Sequence, residues 1–159
     1  MNPLNLLERL DNRIDNLLKR DKSFEKMLDG RCYEQVLRIQ LRERILVHYS
    51  SGFKCSYCNR RMLMKDKHPP HSRSFSIDHD VPLSRGGKSE STNIVFCCLA
   101  CNMIKFTKDG DEYREMVKVF KENNNIYKID KLHRKIIYKK IGVKDAWRIM
   151  NDQNTRNPN

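Results

Sequence analysis

The sequence lacks any long apolar run. No stretch of about 18 apolar residues occurs in the 159-residue chain, so we expect no transmembrane helix and no membrane partner. The N-terminus also lacks a basic region followed by a long apolar segment, and a secretory signal is therefore not expected. These two absences predict a cytoplasmic protein.

Acidic residues are scarce relative to basic ones. The chain has 20 Asp and Glu against 32 Lys and Arg, which gives a formal net charge of +12. A basic surface concentrates polyanions, and nucleic acid is the commonest of these. Charge alone leaves two other interpretations open, namely solubility and an acidic protein partner.

The six cysteines have two possible uses. In a secreted protein they would form disulfides, but four of them form two Cys-x-x-Cys pairs and a secretory signal is not expected. A metal site in a reducing compartment is therefore favoured over redox dithiols. The pairs are Cys55 with Cys58 and Cys98 with Cys101. Together they predict a tetrahedral four-sulfur zinc site, which has no open position and is structural.

Other cysteines and histidines lie near these pairs in the sequence, and we do not expect them to bind the metal. The two-residue spacing favours Cys98 over Cys97 as a ligand and leaves Cys97 as a buried thiol, like Cys32. His68 and His71 lie in the Pro-rich segment 65–74. Because four cysteines complete a tetrahedral site, we predict that both histidines are loop residues.

Two N-terminal helices are predicted. Residues 4–28 show heptad spacing of apolar residues: Leu7, Leu10, Ile14, Leu17, Phe24 and Leu28. This helix either packs on its own domain or forms a short coiled-coil contact in a homodimer. The second helix, 33–48, has a predicted apolar face: Tyr33, Val36, Leu37, Leu41 and Ile45.

The centre of the chain predicts a strand, a loop, a strand and a helix. Phe75–Ile77 alternates as a short strand does and ends at Asp78 and His79. Pro82 and the Gly86-Gly87 pair predict a turn, which would let both side chains reach one cleft. Residues 94–96 form the returning strand, and a helix starts at Cys98.

Three further helices are predicted at 111–122, 126–140 and 143–150, with Trp147 packed inward and a disordered tail at 151–159. Residues 131–140 contain five basic and no acidic residues. Lys131, Arg134 and Lys135 are therefore a candidate phosphate-contacting stripe, with a solvated helix face as the alternative.

The Asp-His pair suggests a chemistry. A histidine with a near-neutral pKa can accept a proton from water. Magnesium accepts one or two protein oxygens and keeps its other positions for water and phosphate. Asp78, together with Asn102 beside the second cysteine pair, would suit such a cation.

Residues 55–105, about a third of the chain, resemble the HNH endonuclease family in its four-cysteine, zinc-containing form. The matching elements keep their order and spacing: Cys55-x-x-Cys58, Asp78-His79-x-x-Pro82, Gly86-Gly87, Asn93 and Cys98-x-x-Cys101-Asn102-x-x-Lys105. The resemblance implies a treble-clef-like ββα-metal finger with structural zinc. With the N- and C-terminal helices predicted on either side, which the resemblance does not cover, the expected fold class is α+β. The expected division is a helical region at 1–52, the finger at 53–110, a helical extension at 111–150 and the tail.

The resemblance also implies hydrolysis of DNA phosphodiester bonds with Mg²⁺ or a similar divalent cation, in a prokaryotic or phage-infected cell. His79 matches the general base, and Asp78 matches the carboxylate that binds the cation. Asn93 matches the central asparagine that holds the loop, and Asn102 matches a last position where many members carry His. The motif is therefore His-Asn-Asn, a form that also occurs in active relatives.

Arg85, Lys88 and Lys105 are predicted phosphate contacts. Two other functions are compatible with the same residues. One is a zinc-dependent DNA-binding module without catalysis, and the other is a protein-interaction adaptor whose partners bind the 4–28 helix.

Overall fold

The computed structural model describes residues 3–20, 30–64, 71–122 and 126–152. Within them the fold consists of a two-stranded antiparallel sheet and helices on either side of it in sequence. The elements in chain order are α1 (Pro3–Arg20), α2 (Gly30–Ser50), β1 (Phe75–His79), β2 (Ile94–Cys98), α3 (Leu99–Lys105), α4 (Gly110–Glu122), α5 (Lys128–Ile137) and α6 (Val143–Asp152).

The sheet and α3 form the predicted ββα unit. β1 pairs with β2 in a register that runs from Phe75 opposite Cys98 to His79 opposite Ile94. β1 is longer than the predicted strand because Asp78 and His79 continue the pairing. Between the strands, the 3₁₀ turn Leu83–Arg85 ends at Gly86, whose φ of 84° is easily adopted only by glycine. The α+β class and the HNH-like order of elements are confirmed.

Helix α1 packs on its own chain. Leu10 and Ile14 are fully buried, and the helix contacts α2 and β1. Arg13 donates a hydrogen bond to the carbonyl of Phe75, which fixes α1 against the sheet. At its described positions, the predicted heptad face therefore packs against other parts of the same chain. The structure gives no support to a homodimer through this helix.

Helix α2 has the predicted buried row at Leu37, Leu41 and Ile45. The prediction that Val36 belongs to the buried face was wrong. Val36 is 47% exposed, because the buried residues follow an i, i+4 spacing from Leu37 and Val36 lies to one side of them. Arginines on the flanks of α2 make ion pairs or hydrogen bonds within the fold. Arg42 pairs with Asp11 of α1.

The C-terminal helices cover the finger. Their buried side chains join one core cluster that extends from Leu10 to Met150. Trp147 of α6 donates its indole N–H to the carbonyl of Ile104 in α3, as an inward-packed residue should. Helix α6 continues to Asp152, so the first two residues of the predicted tail are helical.

Some predictions fall outside the described residues. These are the end of the 4–28 helix after Arg20, the side chains of Leu7, Leu17, Cys32 and Tyr33, the residue His68, and the tail from residue 153. Among the helices that the structure does describe, none combines the length and hydropathy needed to cross a membrane.

Candidate metal centre and catalytic site

The first cysteine pair forms a tight turn. The Cys58 backbone N–H lies 3.5 Å from the Cys55 Sγ, and the Asn59 N–H donates to the Cys55 carbonyl at 2.8 Å. Asn59 has a φ of 58°, a left-handed conformation that asparagine tolerates better than most residues. This turn places both sulfur atoms on one side.

The second pair closes the cluster. Cys98 ends β2, and Cys101 lies in α3. The four Sγ atoms of Cys55, Cys58, Cys98 and Cys101 lie within 4.8 Å of one another, and all four residues are buried. The Cys58 and Cys98 sulfurs are 3.8 Å apart. Tetrahedral zinc with bonds of about 2.3 Å requires sulfur separations of about 3.8 Å. The cluster therefore fits structural zinc.

The prediction that Cys97 and His71 are not metal ligands is consistent with the geometry. Cys97 is fully buried but is not one of the four clustered residues. His71 is also outside the cluster, and its Nδ1 accepts the Arg73 backbone N–H at 3.1 Å.

The Cys58 thiolate is stabilised electrostatically. Hydrogen bonds from the neighbouring thiols, first that of Cys101, lower the pKa of Cys58. Arg60 adds to this effect by donating its Nε–H to the Cys58 Sγ at 3.4 Å. A low thiol pKa favours the thiolate form, which is the form that binds zinc.

Asp78 lies at the end of β1 in a nearly closed environment. Its carboxylate accepts the Tyr57 hydroxyl at 2.9 Å and pairs with the Lys105 ammonium at 3.1 Å. Its side chain is 14% exposed, and burial raises the pKa of Asp78, although Lys105 opposes that shift. The Lys105 charge and the hydrogen bonds from Lys105 and Tyr57 favour the charged form of this carboxylate.

Lys105 occupies a different place from the one predicted. It is 0% exposed, and its ammonium also donates to the His79 carbonyl at 2.8 Å. The prediction that Lys105 contacts phosphate is therefore wrong, because its buried ammonium is not accessible to DNA. The residue instead supports β1 from α3.

Asn102 is held beside Asp78. Its amide nitrogen donates to the Ser76 hydroxyl at 2.8 Å and to the Ile77 carbonyl at 3.0 Å. Ser76 and Asp78 share one face of β1 because strand side chains alternate. Both of these hydrogen bonds use the amide nitrogen of Asn102 and fix the orientation of the side chain. One carboxylate and one amide oxygen form a donor set that suits Mg²⁺.

Asn93 holds the loop that follows His79. Its side chain accepts the Val81 N–H at 2.8 Å and donates to the carbonyls of Val81 at 2.9 Å and Lys88 at 2.8 Å. Gly87 must be glycine here, since a Cβ would lie 1.9 Å from the Val81 oxygen and 2.9 Å from the Asn93 amide nitrogen. These bonds connect Val81 and Lys88 across the loop through the Asn93 side chain.

His79 faces this loop. Its Nε2 lies 3.4 Å from the hydroxyl of Ser89, a residue that is 9% exposed. Its backbone is paired with β2 and is contacted by Lys105. The imidazole is therefore half-buried on a fixed strand end.

Sequence reasoning missed Tyr57, Asp80 and Arg114 at this site. The Tyr57 hydroxyl lies 3.4 Å from Asp80, which Arg114 of α4 contacts at 2.6 Å. Gly110 makes room for this pair, since a Cβ there would lie 1.9 Å from the Asp80 carboxylate. The position of Tyr57 inside the first cysteine pair was a visible signal, but its contact with Asp78 depends on tertiary structure.

The remaining predicted phosphate contacts are accessible. The side chain of Arg85 is 50% exposed and pairs with Glu112 at 3.0 Å, while that of Lys88 is 76% exposed. Lys131, Arg134 and Lys135 are exposed on α5.

Comparison with known protein families agrees with this geometry. Residues 55–108 match the family model described as HNH endonuclease. No curated protein and no solved structure matches the chain. The chain therefore contains an HNH domain, and this domain includes both cysteine pairs and the end of β1.

Proposed function

We propose that this protein is an HNH-type DNA endonuclease that hydrolyses phosphodiester bonds with a divalent cation, Mg²⁺ or a similar ion. One observation carries the proposal. Asp78 and His79 are adjacent at the end of β1, where Asn102 of α3 is bonded to the strand beside Asp78 and the His79 ring lies beside Ser89 in the loop that Asn93 holds. A binding module would not require a potential base and two oxygen ligands in this arrangement.

His79 acts as the general base. It takes a proton from water, whose oxygen then attacks phosphorus in line with the leaving 3′-oxygen. The bond between phosphorus and that oxygen breaks, and the leaving oxygen takes a proton from solvent water, so the products carry a 5′-phosphate and a 3′-hydroxyl. The strand pairing of His79 and its contact with Ser89 limit the motion of the ring during proton transfer.

Asp78 and Asn102 would hold the catalytic cation. When bound, a divalent cation would stabilise the negative charge that develops on the phosphoryl and leaving oxygens. Tyr57 and Lys105 hold the Asp78 carboxylate, and the two N–H bonds of Asn102 fix its carbonyl oxygen. Neither ligand then needs large reorganisation to bind the ion.

DNA is the proposed partner because the chain has a net charge of +12 and exposed basic side chains near the finger. Arg85 and Lys88 both lie in the loop that follows His79. Binding through phosphates should weaken steeply as salt rises.

Substitution of the base tests the proposal. The change His79→Ala should abolish Mg²⁺-dependent nicking of plasmid DNA, because no other group replaces the proton acceptor. Zinc content, circular dichroism and DNA affinity should remain near wild type. A matched control is His48→Gln, since His48 lies on α2 and contacts the Lys54 carbonyl at 2.6 Å, away from the site. Cleavage retained by His79→Ala would contradict the assignment.

A DNA-binding module without catalysis is the second candidate. The observation that favours it is the Asp78 carboxylate, which is already paired with a buried ammonium. If this candidate is correct, the wild-type protein binds DNA in a salt-dependent manner but cleaves neither with Mg²⁺ nor with Mn²⁺. Cleavage that depends on His79 excludes it.

A further inference from the structure

We propose that a cavity between residues 71–72 and helix α5 binds a phosphate group. The cavity has a volume of about 340 Å³, a size suited to a small ligand. Its lining residues are His71, Ser72, Asp130, His133, Arg134, Ile137 and Tyr138. None of them belongs to the zinc cluster or to the end of β1.

The main observation is the state of His133. This residue is 1% exposed, and neither of its ring nitrogens has a hydrogen-bond partner within the described part of the chain. Buried polar groups nearly always have partners, because an unsatisfied one is costly. Both nitrogens are closed to solvent, so a ligand in the cavity that His133 lines would supply the missing partner once the ring turns toward it.

The other polar groups favour an anion. The Nδ1 of His71 accepts a backbone N–H, so its Nε2 carries the proton of the neutral ring and can donate. Arg134 adds a permanent positive charge, and Ser72 adds a hydroxyl. The carboxylate of Asp130 is offset by Arg60, whose guanidinium lies 2.9 Å from it.

A metal ion fits this cavity less well. In the described ranges, the four cysteines are the only set of at least three His, Cys, Asp or Glu ligand atoms that lie within 4.8 Å of one another. The donors around the cavity are thus more dispersed than the ligands of one ion. The oxygens of a tetrahedral oxyanion point in different directions and can therefore accept hydrogen bonds from dispersed donors. A chain of net charge +12 also attracts polyanions such as phosphate esters.

The site is separate from the cleavage site. Ser72 precedes β1, whereas His79 ends it, and the five strand residues span about 13 Å at the usual rise per residue. The phosphate could belong to the backbone of bound DNA or to a phosphomonoester such as a 5′-end. Both sources present the same chemistry to His133 and Arg134.

Titration of the zinc-loaded full chain with inorganic phosphate tests the proposal. Calorimetry gives the affinity, and histidine side-chain NMR shows which rings respond. Phosphate should shift the ring resonances of His133 and His71 and raise the pKa of His133, which burial otherwise lowers to about 4. Arg134→Gln should weaken phosphate binding by about tenfold or more, the usual effect of losing a charge-assisted hydrogen bond.

The matched control is Lys140→Gln. Lys140 is exposed just after α5 and does not line the cavity, so this variant loses the same charge but should change phosphate affinity by less than about twofold. Equal losses in the two variants, or His133 resonances that ignore phosphate, would overturn the proposal. His71→Gln provides a second variant at an exposed position, where folding should not be affected.

Competition experiments identify the source of the phosphate. Displacement of inorganic phosphate by a short duplex with 5′-hydroxyl ends supports a backbone contact. Displacement by only the 5′-phosphorylated duplex, or by a mononucleotide, supports a phosphomonoester. Failure of every competitor would overturn the proposal. All titrations omit divalent cations, so their outcome is independent of whether the protein cleaves DNA.

Discussion

Tyr57 links the two parts of the HNH domain. It lies between the zinc-cluster residues Cys55 and Cys58 and donates its hydroxyl to Asp78 at 2.9 Å. It is 6% exposed, and burial followed by the Asp78 charge raises its pKa, so the phenol remains a donor. The four-cysteine cluster is thereby connected to the orientation of the proposed catalytic carboxylate.

Removal of this hydroxyl should weaken cation binding without affecting zinc. For Tyr57→Phe we expect the affinity for Mn²⁺ or Mg²⁺ to fall about fivefold, equivalent to one hydrogen bond of about 1 kcal/mol, because Lys105 still holds Asp78. Calorimetric titration at constant zinc measures this. Tyr49→Phe on α2 is the control, since Tyr49 is 39% exposed and lies outside the site. Equal cation affinities in both variants would contradict the positioning role.

Lys105 shows why a residue's contacts cannot be deduced from its charge. As a lysine one turn beyond Asn102, it suggests a phosphate contact. Packing of α3 on β1 instead encloses it completely, and its ammonium finds partners in Asp78 and the His79 carbonyl. A buried ammonium requires such partners, since an unpaired charge in the interior is costly.

At the scale of elements, the zinc cluster joins segments that are distant in sequence. It connects the turn at Cys55 and Cys58 to the junction of β2 and α3. A two-stranded sheet alone is marginally stable in water, and bound metal contributes directly to the folding free energy of small domains. The cluster is therefore expected to hold the site in place.

Loss of one ligand should remove both zinc and structure. We expect Cys58→Ser to lose bound zinc and the cooperative unfolding transition, measured by metal analysis and circular dichroism. The matched control is Cys97→Ser, because Cys97 is equally buried but lies outside the cluster. That variant should keep its zinc with a smaller loss of stability. A folded, zinc-free Cys58→Ser protein would refute the structural role.

At the scale of the whole molecule, the helices outside the HNH domain complete its core. Residues of α1, α2, α4, α5 and α6 all contribute to the cluster of buried side chains that includes Phe75 and Phe96. Arg44 of α2 donates to the carbonyl of Ile94 at 2.8 Å, and Arg114 of α4 pairs with Asp80. Changes in the flanking helices should therefore affect the stability of the finger.

His133 predicts a pH dependence of this stability. Burial lowers the pKa of His133 to about 4; Asp130 opposes the shift, and His71, Arg134 and Arg60 add to it. Between pH 6.5 and 4 the unfolded chain binds a proton that the folded chain does not, so stability falls as pH falls. At pH 5 this histidine should reduce the free energy of unfolding by about 2 kcal/mol relative to pH 7.

Comparison of wild type with His133→Phe isolates this contribution. The variant keeps a ring of similar size but cannot bind a proton. Denaturant unfolding at pH 7 and pH 5, in buffers without phosphate and with excess zinc, should show a smaller pH-dependent loss in the variant. Protonation of the cysteine thiolates affects both proteins equally, so it cancels when the pH-dependent losses of wild type and variant are subtracted. An identical pH dependence would show that His133 does not titrate as predicted.

The sequence by itself determined the local elements, the four-cysteine cluster and the resemblance to the HNH family. Cysteine spacing predicted the ligand set, alternation and turn residues predicted the ββα unit, and the order of Asp78, His79, Asn93 and Asn102 indicated the HNH family. These features depend on residues close together in the chain or on fixed spacings between them.

Only the tertiary structure decided which residues support the site and which remain accessible. The burial of Lys105, the contact of Tyr57 with Asp78, the exposure of Val36 and the unpartnered ring of His133 all depend on how distant segments pack. Periodicity identifies the face that a helix buries but not the segment that covers it. Partners at long sequence separation are therefore set by the packing of the whole chain.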